Sequence, residues 1–285
     1  MKVTHPNKVM YDEDHYTKQD IIDYYDRVAE WILPYVTKRL LTLVRCPQNY
    51  QECFFQKHPH LGMSTDIDTL LVQEKKAEAP YLYITNKQGL LALIQMGTLE
   101  IHPWGSPIKK VNYPDMLIFD LDPAEGIAWQ RVVEAAFTVR DNLAQLKLQS
   151  FVKTTGGKGL HVVVPIQPMH EWDTVKNFTQ AFAKAMVTVD PEHYIATMSK
   201  MKRKGKLFID YLRNARGATS IAPYSTRSKK HAPVAVPLHW DELTHDRRDT
   251  FFTIKTIFKR LDALKKDPWE DFFTLHQSLP LDKIK

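Results

Sequence analysis

The chain of 285 residues has only two cysteines, Cys46 and Cys53, too few for a disulfide framework or a zinc knuckle. No apolar run approaches the roughly 18 residues that a membrane span requires. The first 14 residues, MKVTHPNKVMYDED, are interrupted by charge and proline and lack the apolar core of a signal peptide. There is no repeat, no low-complexity tract and no Gly/Ser linker. These absences lead to the expectation of a soluble, cytoplasmic protein built as one large domain, residues 1–285, or two lobes sharing a cleft. A hydrophobic content of 44% and a charged content of 25% are ordinary for such a protein. The net charge of +6 leans towards an anionic partner and by itself says little more.

Local patterning predicts interleaved helices and strands. Gln19–Trp31 reads as an amphipathic helix with Ile22, Tyr25, Val28 and Ala29 on one face. Arg39–Arg45, Phe54–Lys57, Leu70–Gln73 and Tyr81–Thr85 read as short strands, and Lys87–Met96 as a helix stopped by Gly97. The strand Met116–Pro123 precedes a long helix over Ile127–Leu148, and a strand–turn–strand over Phe151–Ile166 precedes a helix over Asp173–Val189. Leu207–Tyr211 and Thr219–Ala222 are further strands, and Thr250–Leu264 a last amphipathic helix. The order is not strictly alternating, which favours an α+β or mixed α/β core over a barrel or doubly wound sheet.

Three segments carry chemistry. In MLIFDLDP, a buried strand ends in Asp120-Leu121-Asp122; side chains alternate, so both carboxylates share a face while Leu121 points inward. Paired carboxylates repel unless a cation lies between them, and hard divalent metals suit that donor set. LFID supplies a third carboxylate, Asp210, at the end of another apolar run, completing a set suited to two metal ions. Asp66-Ile67-Asp68 has the same spacing but follows a polar turn and reads as a solvated loop. In the third segment, KTTGGKGLHVVVPI, a Gly-rich turn lies between strands; its backbone N–H groups, with Lys158, suit phosphate oxygens, and His161 follows in the next strand. The Walker spacing is absent, and a plain hairpin is the competing reading.

Lesser features surround these. The basic run Met201–Lys206, with Arg203 and Lys204, is either a solvated face or a guide for a phosphate backbone. The loop after Asp210 carries Arg213, Arg216 and Arg227, guanidinium groups suited to phosphate. Phe54 and Phe55 beside Lys57 read either as core residues or as a stacking surface next to a phosphate contact. His58 and His60 have no third ligand in view, so no zinc site is proposed.

Taken together these segments resemble the polymerase domain of bacterial ATP-dependent DNA ligase D, within the archaeo-eukaryotic primase superfamily. The likeness rests on THPNKVMY (Thr4–Tyr11), Thr17-Lys18, FFQKH, IHPWGS, DMLIFDLDP, TTGGKGLHV and SIAPYSTR, in that order along the chain as far as Trp269. It implies two β-sheets with flanking helices around a central catalytic cleft, an RRM-like element carrying the carboxylates. It implies template-directed nucleotidyl transfer that fills gaps and extends ends at double-strand breaks in non-homologous end joining, with a preference for ribonucleotides. Two ions, manganese or magnesium, would be held by Asp120, Asp122 and Asp210 as the catalytic triad. His102, Thr155, Gly157, Lys158, His161 and Arg227 match positions around the incoming nucleotide. Lys8, Lys18 and Lys57 match positions that hold a 5′-phosphate, and Phe54, Phe55, Arg203 and Lys204 match positions used for DNA.

The implied partners are DNA with 5′-phosphorylated gaps or 3′ overhangs, NTP or dNTP, Ku and a DNA ligase, in the cytoplasm and at the nucleoid during repair, with no membrane. Two departures stand out. Thr155 replaces the family's more usual serine and keeps the hydroxyl, and the chain has no Asp-Gly, hence no Lys-x-Asp-Gly nucleotidylation motif and no ligase function in this polypeptide. A primase starting chains de novo, a non-catalytic end-bridging protein and a metallonuclease are the alternative readings.

Overall fold

The computed structural model describes residues 2–246 and 250–283. Among the described residues, six α-helices and two main sheets, antiparallel except for the parallel pair Tyr194–Ile195 and Leu207–Asp210, make the chain mixed α/β. It divides into two compact units, the first comprising Met1–Lys109, Thr219–Ala235 and Phe252–Lys265, the second Lys110–Ala218, Val236–Phe251 and Lys266–Lys285.

In the first unit, the strand Arg39–Arg45 is the hub of a five-stranded sheet. It pairs with Phe54–Gln56, with Glu78–Tyr83 and along its length with Thr98–Pro107, while Asp68–Gln73 pairs with Glu78–Tyr83. Leu40, Leu41 and Leu43 are fully buried there. The predicted helix over Gln19–Trp31 is two helices, Lys18–Arg27 and Ala29–Val36. A capping box between Thr17 and Asp20 starts the first. Val28 ends one and begins the other: its N–H bonds to Tyr24 and its carbonyl accepts from Trp31 and Ile32. The buried face runs on through Val28 and Ala29, so periodicity alone could not reveal the break. Cys46 and Cys53 are joined in a single disulfide, although their number argued against a disulfide framework.

Two expectations for this unit need correction. Thr219–Ala222 is not a strand; only an isolated bridge from Thr219 to Trp104 forms, because Pro223 cannot continue a ladder and Tyr224 has a positive φ. Thr250–Leu264 is not one helix: Phe252–Thr253 pairs with Pro233–Val234, and the helix is confined to Ile257–Ala263. Between them the Thr253 and Thr256 hydroxyls bond each other's backbone N–H, a local turn that competes with helix.

The second unit holds a six-stranded sheet in the order Tyr194–Ile195, Leu207–Asp210, Met116–Pro123, Leu160–Pro165, Phe151–Thr154, Pro237–Leu238. Leu117, Phe119 and Leu121 are fully buried on one face of the central strand, where Phe119 meets Phe182 of the helix Trp172–Val189 at 4.8 Å between ring centres. Alternation therefore turns Asp120 and Asp122 to the other face. The helix Trp129–Gln145 buries Val132, Val133, Ala136, Val139 and Leu143, and packs against the same sheet. No helix among the described residues is long and apolar enough to cross a membrane.

Candidate active site

Strand register assembles the carboxylates of the second unit. Asp210 lies directly across from Asp120, and His161 lies across from Asp120 on its other side. All three side chains, with Asp122 two residues along, occupy the face turned away from Phe182. Arg213 reaches both Asp120 at 3.2 Å and Asp210 at 3.5 Å. Asp122 is paired with Arg203 at 3.3 Å, and that guanidinium also lies 3.7 Å above the Phe208 ring and donates to the Thr197 carbonyl. Lys204 beside it is exposed.

The electrostatics are those of a crowded, partly dry carboxylate site. Burial raises the Asp120 carboxyl, but His161 and Arg213 outweigh it and hold it well below the usual carboxylate range. Burial and the neighbouring Asp120 charge push Asp210 up instead. His161 is pushed down to about 4, first by burial and then by Lys153 opposite it in the sheet, so the imidazole facing Asp120 is neutral near pH 7. Arg213 is then the cation that answers Asp120.

The Gly-rich segment forms a hairpin turn, as its bland reading expected, and it packs against the carboxylate strand. Thr155 Oγ1 donates to the Gly159 carbonyl at 3.0 Å, closing the turn. A Cβ on Gly159 would stand 2.4 Å from the Leu121 carbonyl oxygen, so only glycine allows the turn to approach the residue between the two aspartates. Lys158 is exposed at the tip and Gly157 is half-buried beside it.

His102 and Arg227 belong to the first unit, where a residue not singled out from sequence joins them. Buried Glu100 is 2.8 Å from His102 Nε2 and 3.1 Å from Arg227, and accepts from the Ser228 N–H and hydroxyl. Burial raises Glu100, but these partners prevail and keep it far below the usual range. It stands two residues before His102, and only the strand Thr98–Pro107, which the sequence did not reveal, puts the two on one face.

Lys8 and Lys18 also come together. The Lys18 N–H donates to the Lys8 carbonyl, and burial with the nearby Lys8 charge lowers the Lys18 amine. Lys8 Nζ reaches Gln48 and the Pro47 carbonyl, and Lys18 Nζ the Thr4 hydroxyl. Lys57 lies in another cluster, with Glu74 and Tyr81. Phe54 and Phe55 are 48% and 76% exposed, which removes the core reading of these aromatics. Asp66, in the competing Asp-x-Asp, is exposed and bonds Ser64, as a solvated turn requires.

The family profile described as LigD, primase-polymerase domain, matches residues 17–269. The chain belongs to the LigD primase-polymerase family. It is 34% identical over 281 residues to the multifunctional non-homologous end joining protein LigD of Pseudomonas aeruginosa, covering 98% of this chain and 34% of that protein. It is 30% identical over 289 residues to the bifunctional LigD of Bacillus subtilis, covering 100% of this chain and 46% of that one. The chain thus spans about a third to a half of the length of these LigD relatives. The solved polymerase domain of Mycobacterium tuberculosis ligase D, in complex with DNA, superposes with a TM-score of 0.89 at 30% identity, covering 96% of this chain and 98% of that one.

A LigD primase-polymerase fold raises the question of metal. Among the described residues, no three His, Cys, Asp or Glu side chains form a ready cluster, since the carboxylates expected to share two ions are turned to Arg203 and Arg213. The donor set nevertheless fits a hard divalent ion. Asp120 and Asp210 face each other with a single guanidinium between them, a charge arrangement that a dication satisfies equally.

Proposed function

We propose that this chain is a template-directed nucleotidyltransferase that fills gaps and extends ends at DNA double-strand breaks in bacterial non-homologous end joining, with ribonucleotides preferred. The observation that carries the proposal is the pairing of Asp210 with Asp120 across adjacent strands, with Asp122 on the same face and the glycine turn pressed against Leu121. A binding-only protein has no use for that arrangement. The DNA complex of the solved M. tuberculosis domain supports DNA as the partner.

In this reading Asp120, Asp122 and Asp210 hold manganese or magnesium as a pair of ions. When bound, these supply charge stabilisation for the primer hydroxyl and for the pyrophosphate leaving group. The protein's own groups do the rest. Lys158 and the backbone N–H groups of the turn meet phosphate oxygens, and Thr155 fixes the turn that presents them. Arg227 and His102, oriented by Glu100, are the nucleotide-binding groups of the first unit, and His161, neutral near pH 7, holds Asp120 without adding charge. Lys8, Lys18 and Lys57 hold the 5′-phosphate beyond the gap, Phe54 and Phe55 stack on bases, and Arg203 and Lys204 follow the backbone. The chain works in concert with Ku and a ligase.

Primer extension on a labelled, gapped duplex with a 5′-phosphate tests this, with NTP and dNTP competing at one templating base and manganese or magnesium supplied in turn. The expected result is extension by the wild type, none by Asp122→Ala, and unchanged extension by Asp66→Ala. Robust extension by Asp122→Ala would sink the site assignment. Synthesis without a primer would point to a primase, and strand cleavage to a nuclease.

A further inference from the structure

Arg213 reaches Asp120 and Asp210 from a fixed base. The turn Leu212–Asn214 that carries it is bound to the central strand by the side chain of Asn214, which is buried. Its Oδ1 accepts the Ile118 N–H at 2.8 Å, and its Nδ2 donates to the Ile118 carbonyl at 2.7 Å and to the Tyr211 carbonyl at 2.9 Å. The amide thereby does for Ile118 what a strand residue would do beyond the end of Leu207–Asp210. The Leu212 N–H closes the turn on Asp210 Oδ1 at 2.8 Å. The backbone of Arg213 cannot shift without breaking these bonds, so only its side chain is able to leave.

That side chain is held loosely. It reaches the carboxylates through Nε alone, 3.2 Å from Asp120 and 3.5 Å from Asp210, where a strong charge-assisted bond measures about 2.7–2.9 Å. It has no other hydrogen-bond or ion-pair partner among the described residues, and it is 42% exposed. Arg203 at Asp122 differs: it is 17% exposed, lies against the Phe208 ring and is tied to the Thr197 carbonyl.

We propose that Arg213 is the resident counter-ion of the Asp120–Asp210 pair and sets the divalent metal concentration at which that pair loads. The inference rests on the reading of these carboxylates as metal ligands. Two carboxylates and one guanidinium leave one negative charge over, whereas a dication balances both. Arg213 therefore eases the repulsion between the carboxylates without cancelling it. A metal ion needs the same oxygens and must turn the guanidinium away from them. Binding always proceeds against this charge, so removing it must tighten the site. The Asn214 clamp keeps the displaced side chain close, ready to return when the metal leaves.

The test is direct binding of Mn²⁺ to the nucleotide-free protein at pH 8, read from the EPR signal of the free ion. Arg213→Gln should bind about fivefold more tightly than the wild type, the upper end of what an exposed ion pair contributes. Arg213→Lys keeps the charge and should stay close to the wild type. Arg216→Gln removes a charge that faces Asn112 instead, and should shift the affinity far less. Thermal unfolding gives a second reading: Arg213→Gln should melt below the wild type in EDTA, and Mn²⁺ should raise its midpoint by more. If the wild type binds Mn²⁺ no better than Asp210→Asn, the metal reading itself fails and the inference with it. If Asp210→Asn loses the ion but Arg213→Gln binds it no more tightly than the wild type, Arg213 is no competitor, and the inference alone is overturned. Arg213→Lys binding as tightly as Arg213→Gln would overturn it as well, because charge would then not be the cause.

Discussion

Glu100→Gln is the sharpest perturbation of the first unit. The native carboxylate meets only donors or cations: the Ser228 N–H at 2.8 Å, the Ser228 hydroxyl at 2.7 Å, His102 at 2.8 Å and Arg227 at 3.1 Å. Glutamine conserves volume, but whichever way its amide turns, an NH₂ must face Ser228 or the His102–Arg227 side. The side chain of Glu100 is 5% exposed and that of Arg227 20%, so water cannot repair the loss. Breaking a buried pair by removing one charge costs roughly 3–5 kcal/mol. We take about 3 kcal/mol, because Arg227 keeps some contact with solvent. With a urea dependence of about 1–3 kcal/mol/M, the unfolding midpoint should fall by roughly 1 M or more.

The difference between wild type and variant must also depend on pH. Glu100 is depressed in the folded state from a value of 4.5, so its stabilisation is complete above that range and is lost as pH falls below it. The wild type should therefore lose its advantage over Glu100→Gln by about 1.4 kcal/mol for each pH unit below that point, whereas at pH 6–8 the gap is constant. Urea titrations of both proteins at pH 7, 4 and 3.5 measure this. A gap below about 1 kcal/mol at pH 7, or one that does not shrink at pH 3.5, would refute the reasoning. Nucleotide affinity should fall in parallel, because His102 and Arg227 lose their common orienting group.

Asp210→Asn should raise the unfolding midpoint at pH 7 while nucleotide addition is lost. Burial and Asp120 push this carboxyl up, so its ionised form costs the folded state stability above the ordinary carboxylate range, and the gain should vanish at pH 3. Gly159→Ala sets a Cβ 2.4 Å from the Leu121 carbonyl oxygen and must move backbone; we expect about 3 kcal/mol of destabilisation by urea unfolding and a sharp drop in primer extension. The Cys46–Cys53 disulfide closes a short loop, with a sequence separation of 7, and should contribute about 2–3 kcal/mol. A reducing agent should lower the wild-type urea midpoint accordingly and leave Cys46→Ser unaffected.

The strands Arg39–Arg45 and Met116–Pro123 were legible to the residue, because continuous β-branched and aliphatic runs with charged or polar ends have one low-energy reading. The common face of Asp120 and Asp122 followed from the two-residue period alone, and the solvated Asp66 turn from its polar setting. The strand Thr98–Pro107 was not legible, since Pro103, Gly105 and Pro107 argue locally against a strand; its pairing with Arg39–Arg45 overrides them. With it were hidden Glu100 and its ties to Arg227 and Ser228, which are distant in sequence. The break at Val28 was invisible because the same apolar face serves two helices as well as one. Composition and period determined which residues are buried and which faces carry charge. Register, set by which strands lie side by side, alone decided that Asp210 meets Asp120. Partner choice in a sheet depends on long-range packing, and no local window of sequence contains it.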